Sequence, residues 1–98
     1  MLVKTDVVLK TLTGETMKDS DGKGEVIDAT LKLCICNALL STVQNEKGID
    51  KVKKYDLAMK CYKNDEVELT PEEVSLIRER VGEIFSPIVV GQVFEVLK

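Results

Sequence analysis

The chain contains no histidine and no tryptophan, and only two prolines, two tyrosines and two phenylalanines among its 98 residues. Without histidine there is no ready general base for a serine or cysteine nucleophile near neutral pH. A structural zinc site would also have to rely on carboxylates, which that metal seldom uses. With so few aromatics, Leu, Ile and Val must fill the interior. No apolar run approaches the ~20 residues that span a bilayer, and no basic, then apolar, leader opens the chain. The three cysteines, Cys34, Cys36 and Cys61, cannot all pair within one chain. Together these features predict a soluble domain in a reducing cytoplasm.

What is present is ordinary in amount and uneven in placement. The 44% apolar content suits a single globular domain over residues 1–98. A domain of this size buries only about two-thirds of its unfolded surface, so a homodimer is a natural expectation. Net charge is −3. From Glu46 to Lys63 six lysines face three acids, a local +3, whereas from Asp65 onward eight acids face three bases, a local −5. A field with two poles orients a protein partner better than it attracts a polyanion.

The pattern along the chain predicts an α+β fold: an N-terminal antiparallel hairpin or small sheet followed by a bundle of about four short helices. Val3 to Leu12 is rich in β-branched residues and predicts a strand with Val7, Leu9 and Leu12 on its apolar side. Thr13-Gly14 offers a turn, Glu15 to Lys18 a partner strand, and Gly24 to Asp28 a strand pairing back. Thr30 predicts the cap of a first helix with Leu31, Cys34, Ile35, Ala38 and Leu39 inward, ending near Thr42 or Val43. A second helix is predicted from about Asp50, its apolar positions Ile49, Val52, Tyr55, Met59 and Tyr62 stepping by three and four. Asn64 to Leu69 connects it onward and can hold a brief strand.

Thr70-Pro71-Glu72-Glu73 carries the strongest local signal. Thr70 can cap, Pro71 fits the first helical position, and Glu73 can close a capping box. The third helix should bury Val74, Ile77, Val81 and Ile84 and leave Glu72, Glu73, Arg78, Glu79 and Arg80 in water, with Gly82 marking either the close approach of a neighbouring backbone or a fray point. Ser86-Pro87 repeats the device and predicts a fourth helix to Leu97, although Ile88-Val89-Val90 would also suit a strand.

Four constellations invite chemistry. The run from Asp19 to Thr30, DSDGKGEVIDAT, resembles a calcium loop at Asp19, Asp21, Gly24 and Val26. Lys23 stands where the fifth-position oxygen belongs, however, and Thr30 replaces the two-oxygen glutamate of the twelfth position. A hairpin turn accounts better for Asp21-Gly22 and Gly24. Cys34 and Cys36 are two apart on a helix and diverge, so they read as buried apolar residues and not as ligands. Glu66, Glu68, Glu72 and Glu73 cluster in sequence but read as solvated groups beside a helix start. The lysines Lys47, Lys51, Lys53, Lys54, Lys60 and Lys63 form the one basic patch, and all lack the Arg, Asn or Gln expected for reading base edges.

The segments Thr30 to Leu40, Lys53 to Lys60, Glu68 to Val74 and Ser86 to Gln92, taken in that order, resemble a group of small bacteriophage proteins of about this length. The resemblance implies a phage or prophage product acting in the bacterial cytoplasm or in virion assembly, and it carries over no functional residues. The residues themselves predict a non-catalytic protein with no cofactor that binds a host or phage protein. Its contact surface is expected at Lys47, Lys51, Lys53, Lys54, Lys60 and Lys63, and secondarily at the last helix. The alternative is a small dimeric regulator that binds nucleic acid through the lysine-rich second helix.

Overall fold

The computed structural model describes residues 1–20 and 23–98, with the backbone alone described at Ser20. In chain order the elements are β1 (Leu2–Lys4), β2 (Lys18–Ser20), β3 (Val26–Asp28), α1 (Leu31–Leu40), α2 (Gly48–Lys63), β4 (Glu66–Glu68), α3 (Pro71–Ile84) and α4 (Pro87–Val96). This is the α+β arrangement that the sequence pattern predicts: among the described residues three strands come first and four helices after them, with β4 in the connection between α2 and α3.

The strands differ in detail from the expectation. The stretch from Val3 to Leu12 is not one strand, because a turn at Thr5-Asp6 divides it. Its first part, β1, pairs antiparallel with β4, with Val3 opposite Val67. Both of these valines are buried, so two short strands clasp the bundle through one apolar pair. Beyond the turn only isolated bridges continue, Val8 to Thr30 and Lys10 to Thr16. Leu9 is buried as predicted, but Val7 lies at the surface and Leu12 stands fully in water. Gly14 makes the predicted turn at φ +87°, its amide donating to the Thr11 carbonyl at 3.0 Å. β2 and β3 pair antiparallel, with β3 inside the predicted Gly24 to Asp28 and β2 later than the predicted Glu15 to Lys18; Lys18 stands opposite Asp28, joined to it by a 2.5 Å ion pair.

α1 is the centre of the bundle. Thr30 caps it, its hydroxyl accepting from the Leu33 amide at 3.3 Å, and Ser41 closes it, slightly earlier than predicted. α1 packs on both α2 and α3; Cys36 is buried against Ala58 of α2, whereas Cys34 is buried beside Leu9, Met17, Phe85 and Val89. α3 starts with the full capping box: Thr70 Oγ1 accepts from the Glu73 amide at 3.2 Å and Glu73 Oε1 from the Thr70 amide at 2.8 Å. Val74, Ile77 and Val81 are buried as predicted, whereas Ile84 is exposed. Arg80, predicted to be in water, is buried instead. It is held there by Glu83 at 2.5 Å and Ser41 Oγ at 2.8 Å, because its outer turn is covered by the α1–α2 connection. At Gly82 an added Cβ would lie 3.8 Å from the Phe94 ring, an ordinary contact with an α4 side chain, so among the described residues no neighbouring backbone comes close there as the first expectation had it. α4 is helical, and Val89, Val93 and Leu97 seal the core.

Thr5 joins three segments. It is fully buried, its amide donating to the Asp65 carbonyl at 2.8 Å and its hydroxyl to the Asn64 carbonyl at 2.6 Å. Its own carbonyl accepts from the Lys32 amide at 2.8 Å.

Candidate functional site

The largest departure from the sequence pattern lies on α2. The positions Ile49, Val52, Tyr55 and Tyr62, predicted to face the core, are 65%, 56%, 55% and 58% exposed. The buried face is instead Lys54, Leu57, Ala58 and Cys61. At 100° per residue these two faces lie on nearly opposite sides of the helix. The inner one is small because α1 approaches closely: Cys36 Sγ donates to the Ala58 carbonyl at 3.5 Å, a fit that larger side chains would prevent. Period alone cannot tell the two faces apart. The larger one looks like the core, and a lysine in the true core face hides it.

Locally, Asn45 at φ +64° turns the chain into α2. Lys47 stands at the cap position without a side-chain bond. Asp50 in the first turn and Lys60 and Lys63 in the last suit the helix dipole at each end.

The six lysines predicted as a contact patch divide into two groups. Lys54 does not belong to a contact surface. It points inward and pairs with Glu46, both side chains about nine-tenths buried. An ammonium on the core face of a helix needs that carboxylate, since burial without it is costly. Lys60 is half-buried and pairs with Glu73 at 3.2 Å across the α2–α3 groove. Lys47, Lys51, Lys53 and Lys63 are exposed and have no ion pair among the described residues. By helical position Lys51 lies along one edge of the apolar stripe, and Lys63 and Lys53 along the other. At the C-terminal end Lys32 of α1, paired with Asp65 at 2.7 Å, lies 6.0 Å from the centre of the Tyr62 ring. α4, the secondary candidate, offers less: Ile88, Val90, Phe94 and Val96 all pack partly against the core.

The clefts beside α2 are mixed in charge. A shallow groove between α2 and α3, of about 380 Å³, is lined by Lys53, Asp56, Leu57, Lys60, Glu72, Glu73 and Leu76. Burial opposes charge on Glu73, yet the Thr70 amide and Lys60 together outweigh it and hold the carboxyl below its ordinary range. A second cleft holds Glu46, Asp50, Glu83, Lys54 and Arg80, acids and bases side by side. Arg80 Nε is buried there with no hydrogen-bond partner among the described residues.

The remaining candidates are dispersed. Glu66 and Glu68 lie exposed on β4, Glu68 accepting from the Met1 amine at 3.0 Å, and Glu72 is exposed while Glu73 caps α3. The calcium-like run is led into by β2 and out by β3, with Gly24 at φ +89°. Asp21 and Gly22 lie outside the described residues. Among the described residues no group of three or more Cys, Asp or Glu side chains is placed to hold a metal ion. Burial pushes the Cys34 thiol up to about 12 and Cys61 to about 11. It raises Cys36 as well, against the pull of Lys32. A thiol held protonated is a poor nucleophile.

No helix among the described residues is long and apolar enough to cross a membrane. Comparison of the chain with protein-family models, with curated proteins and with solved structures returned no match.

Proposed function

We propose that this chain is a non-catalytic protein-binding domain, a phage accessory or morphogenesis factor acting in the bacterial cytoplasm, whose contact surface is the outer face of α2. One observation carries the reading: four large apolar side chains stand out of the bundle on one helix face, bordered by lysines without ion partners. Exposed apolar area of this kind is costly to keep in water and commonly marks an interaction site. The protonated thiols and the scattered carboxylates support a role without bond chemistry.

A protein partner is favoured over nucleic acid because Asp56 shares the lysine edge of α2 and the face bears no Arg, Asn or Gln to read bases. Affinity capture from bacterial lysate and from phage particles tests this, with wild type compared against Lys51→Glu/Lys63→Glu. The expected result is a stoichiometric protein held by wild type and lost by the variant at unchanged thermal midpoint. Retention of the partner by the variant, or no stoichiometric partner from either source, refutes the proposal. So does duplex binding that weakens about a hundred-fold between 50 and 200 mM salt, the slope four phosphate contacts would give.

A further inference from the structure

The stripe on α2 has a definite shape and border, and these narrow what can cover it. From Ile49 to Tyr62 it runs on the order of 20 Å at 1.5 Å per residue, about four helical turns. Ile49, Val52, Tyr55, Met59 and Tyr62 follow one another by three or four residues, so they form a continuous ridge that winds by about 140° around the helix. A partner helix packs along such a ridge by interdigitation. The ridge exposes on the order of 500 Å² of apolar surface, large for a monomer but short of the ~800 Å² per partner of a standard interface. The stems of the bordering lysines, four methylenes each, can supply the missing area when a partner covers them.

A partner that covers those stems also takes their ammonium groups partly out of water. Lys47, Lys51, Lys53 and Lys63 make no ion pair among the described residues; Lys53 shares its groove with Asp56, Glu72 and Glu73, while Lys51 and Lys63 lie away from it. The covering surface must therefore supply acids at its edges and apolar residues at its centre. A second copy of this chain does not meet that requirement. Two α2 helices laid ridge on ridge would each bring Lys51, Lys53 and Lys63 against one acid, Asp56, to the borders of the contact. Either direction of pairing therefore gathers an excess of positive charge there.

Resting on the function proposed above, we infer that α2 binds an acidic amphipathic helix of another protein. That helix presents apolar residues at i, i+3 or i+4, and i+7 to Val52, Tyr55 and Met59, with Asp and Glu beside Lys51 and Lys63. Tyr55 and Tyr62 serve as the anchoring side chains, since tyrosine gives large contact area at low entropy cost and keeps its hydroxyl at the wet edge.

The test uses the full chain and a displayed library of amphipathic helices with randomised apolar and flanking positions. Sequences are selected on wild type and counter-selected on Val52→Ser/Tyr55→Ser, whose substituted side chains are exposed and leave the core intact. The expected outcome is enrichment of Asp and Glu at the flanks, with affinity reduced at least ten-fold by the double variant and several-fold by Lys51→Glu. Amide shifts on binding should be confined to α2 and its borders.

Enrichment of basic or neutral flanks, or no enrichment over the double variant, overturns the inference. So does a dimer seen in sedimentation that Val52→Ser/Tyr55→Ser abolishes, or preferential uptake on vesicles of anionic lipid. The two readings fail separately. If lysate capture still depends on Lys51 and Lys63 while the library yields no acidic helix, the contact surface stands and the chemistry assigned to its partner is wrong. If capture is indifferent to those lysines, the surface itself is wrong.

Discussion

Replacing Glu46 by alanine should be among the most damaging single changes to this domain. Glu46 is the counter-charge of Lys54, whose side chain is 9% exposed and rises from the α2 face that packs on α1. Removing one member of a buried pair leaves the other charge uncompensated, at a cost of about 3–5 kcal/mol. Lys54 recovers a little by extending its stem toward the connection between α1 and α2, which places the expectation at about 3 kcal/mol. For a chain of this size that corresponds to a fall of roughly 12–24 °C in thermal midpoint.

The reverse change should be milder. With Lys54→Met the abandoned carboxylate belongs to a connecting loop and can turn to water, so a loss of about 1 kcal/mol is expected. The double variant Glu46→Ala/Lys54→Met removes both charges and should return to within about 1 kcal/mol of wild type, since apolar replacements of a buried pair are often neutral or better. Urea unfolding of all four proteins gives the cycle, with a coupling of about 3 kcal/mol or more expected. A Glu46→Ala cost below about 1 kcal/mol would put the pair in the class of solvated surface bridges and refute the argument.

Thr70→Ala should cost about 1 kcal/mol, because it removes the hydroxyl half of the capping box; denaturant midpoints measure it, and an unchanged midpoint would show the cap to be idle. The carboxyl of Glu73 lies below its ordinary value of 4.5 in the folded state, so its contribution is present above that pH and is lost as pH falls through the folded value. Glu73→Gln should therefore narrow the stability difference between pH 7 and pH 3. Iodoacetamide at pH 8 should leave Cys34, Cys36 and Cys61 unmodified until denaturant is added, as mass spectrometry would show. Gln92→Ala removes bonds of 2.7 and 2.8 Å to the backbone of Lys10, and should speed amide exchange around Leu9 to Lys18 while the helices stay protected.

Legibility in the sequence followed how local each cause was. Thr70-Pro71-Glu72-Glu73 and Ser86-Pro87 announce their helices because capping needs only residues within one turn. Gly14 is equally plain, since a positive φ is a property of one residue. α2 departs from its sequence pattern for a reason of packing: the neighbour that decides which face is buried is α1, whose close approach admits Ala58 and Cys61 and leaves Tyr55 outside. Arg80 looks solvated in the sequence because nothing near it there reveals Ser41, which holds it from the far end of α1. The candidate site is thus legible as a helix and as a set of lysines, while its apolar ridge looks like core. Lys54 resembles the other lysines because charge alone does not show direction.

The junction at Thr5 bears on how the chain acquires its structure. Its partners come from two distant stretches, at Lys32 and at Asn64-Asp65, and β1 pairs with β4. Helix α1 can begin to form as soon as its own residues meet, but the clasp must wait for the chain to close a loop of some sixty residues. Assembly is therefore gated by one distant encounter, and mutations at Thr5, Val3 or Val67 should be felt in the refolding rate if that encounter belongs to the transition state, and otherwise in the unfolding rate.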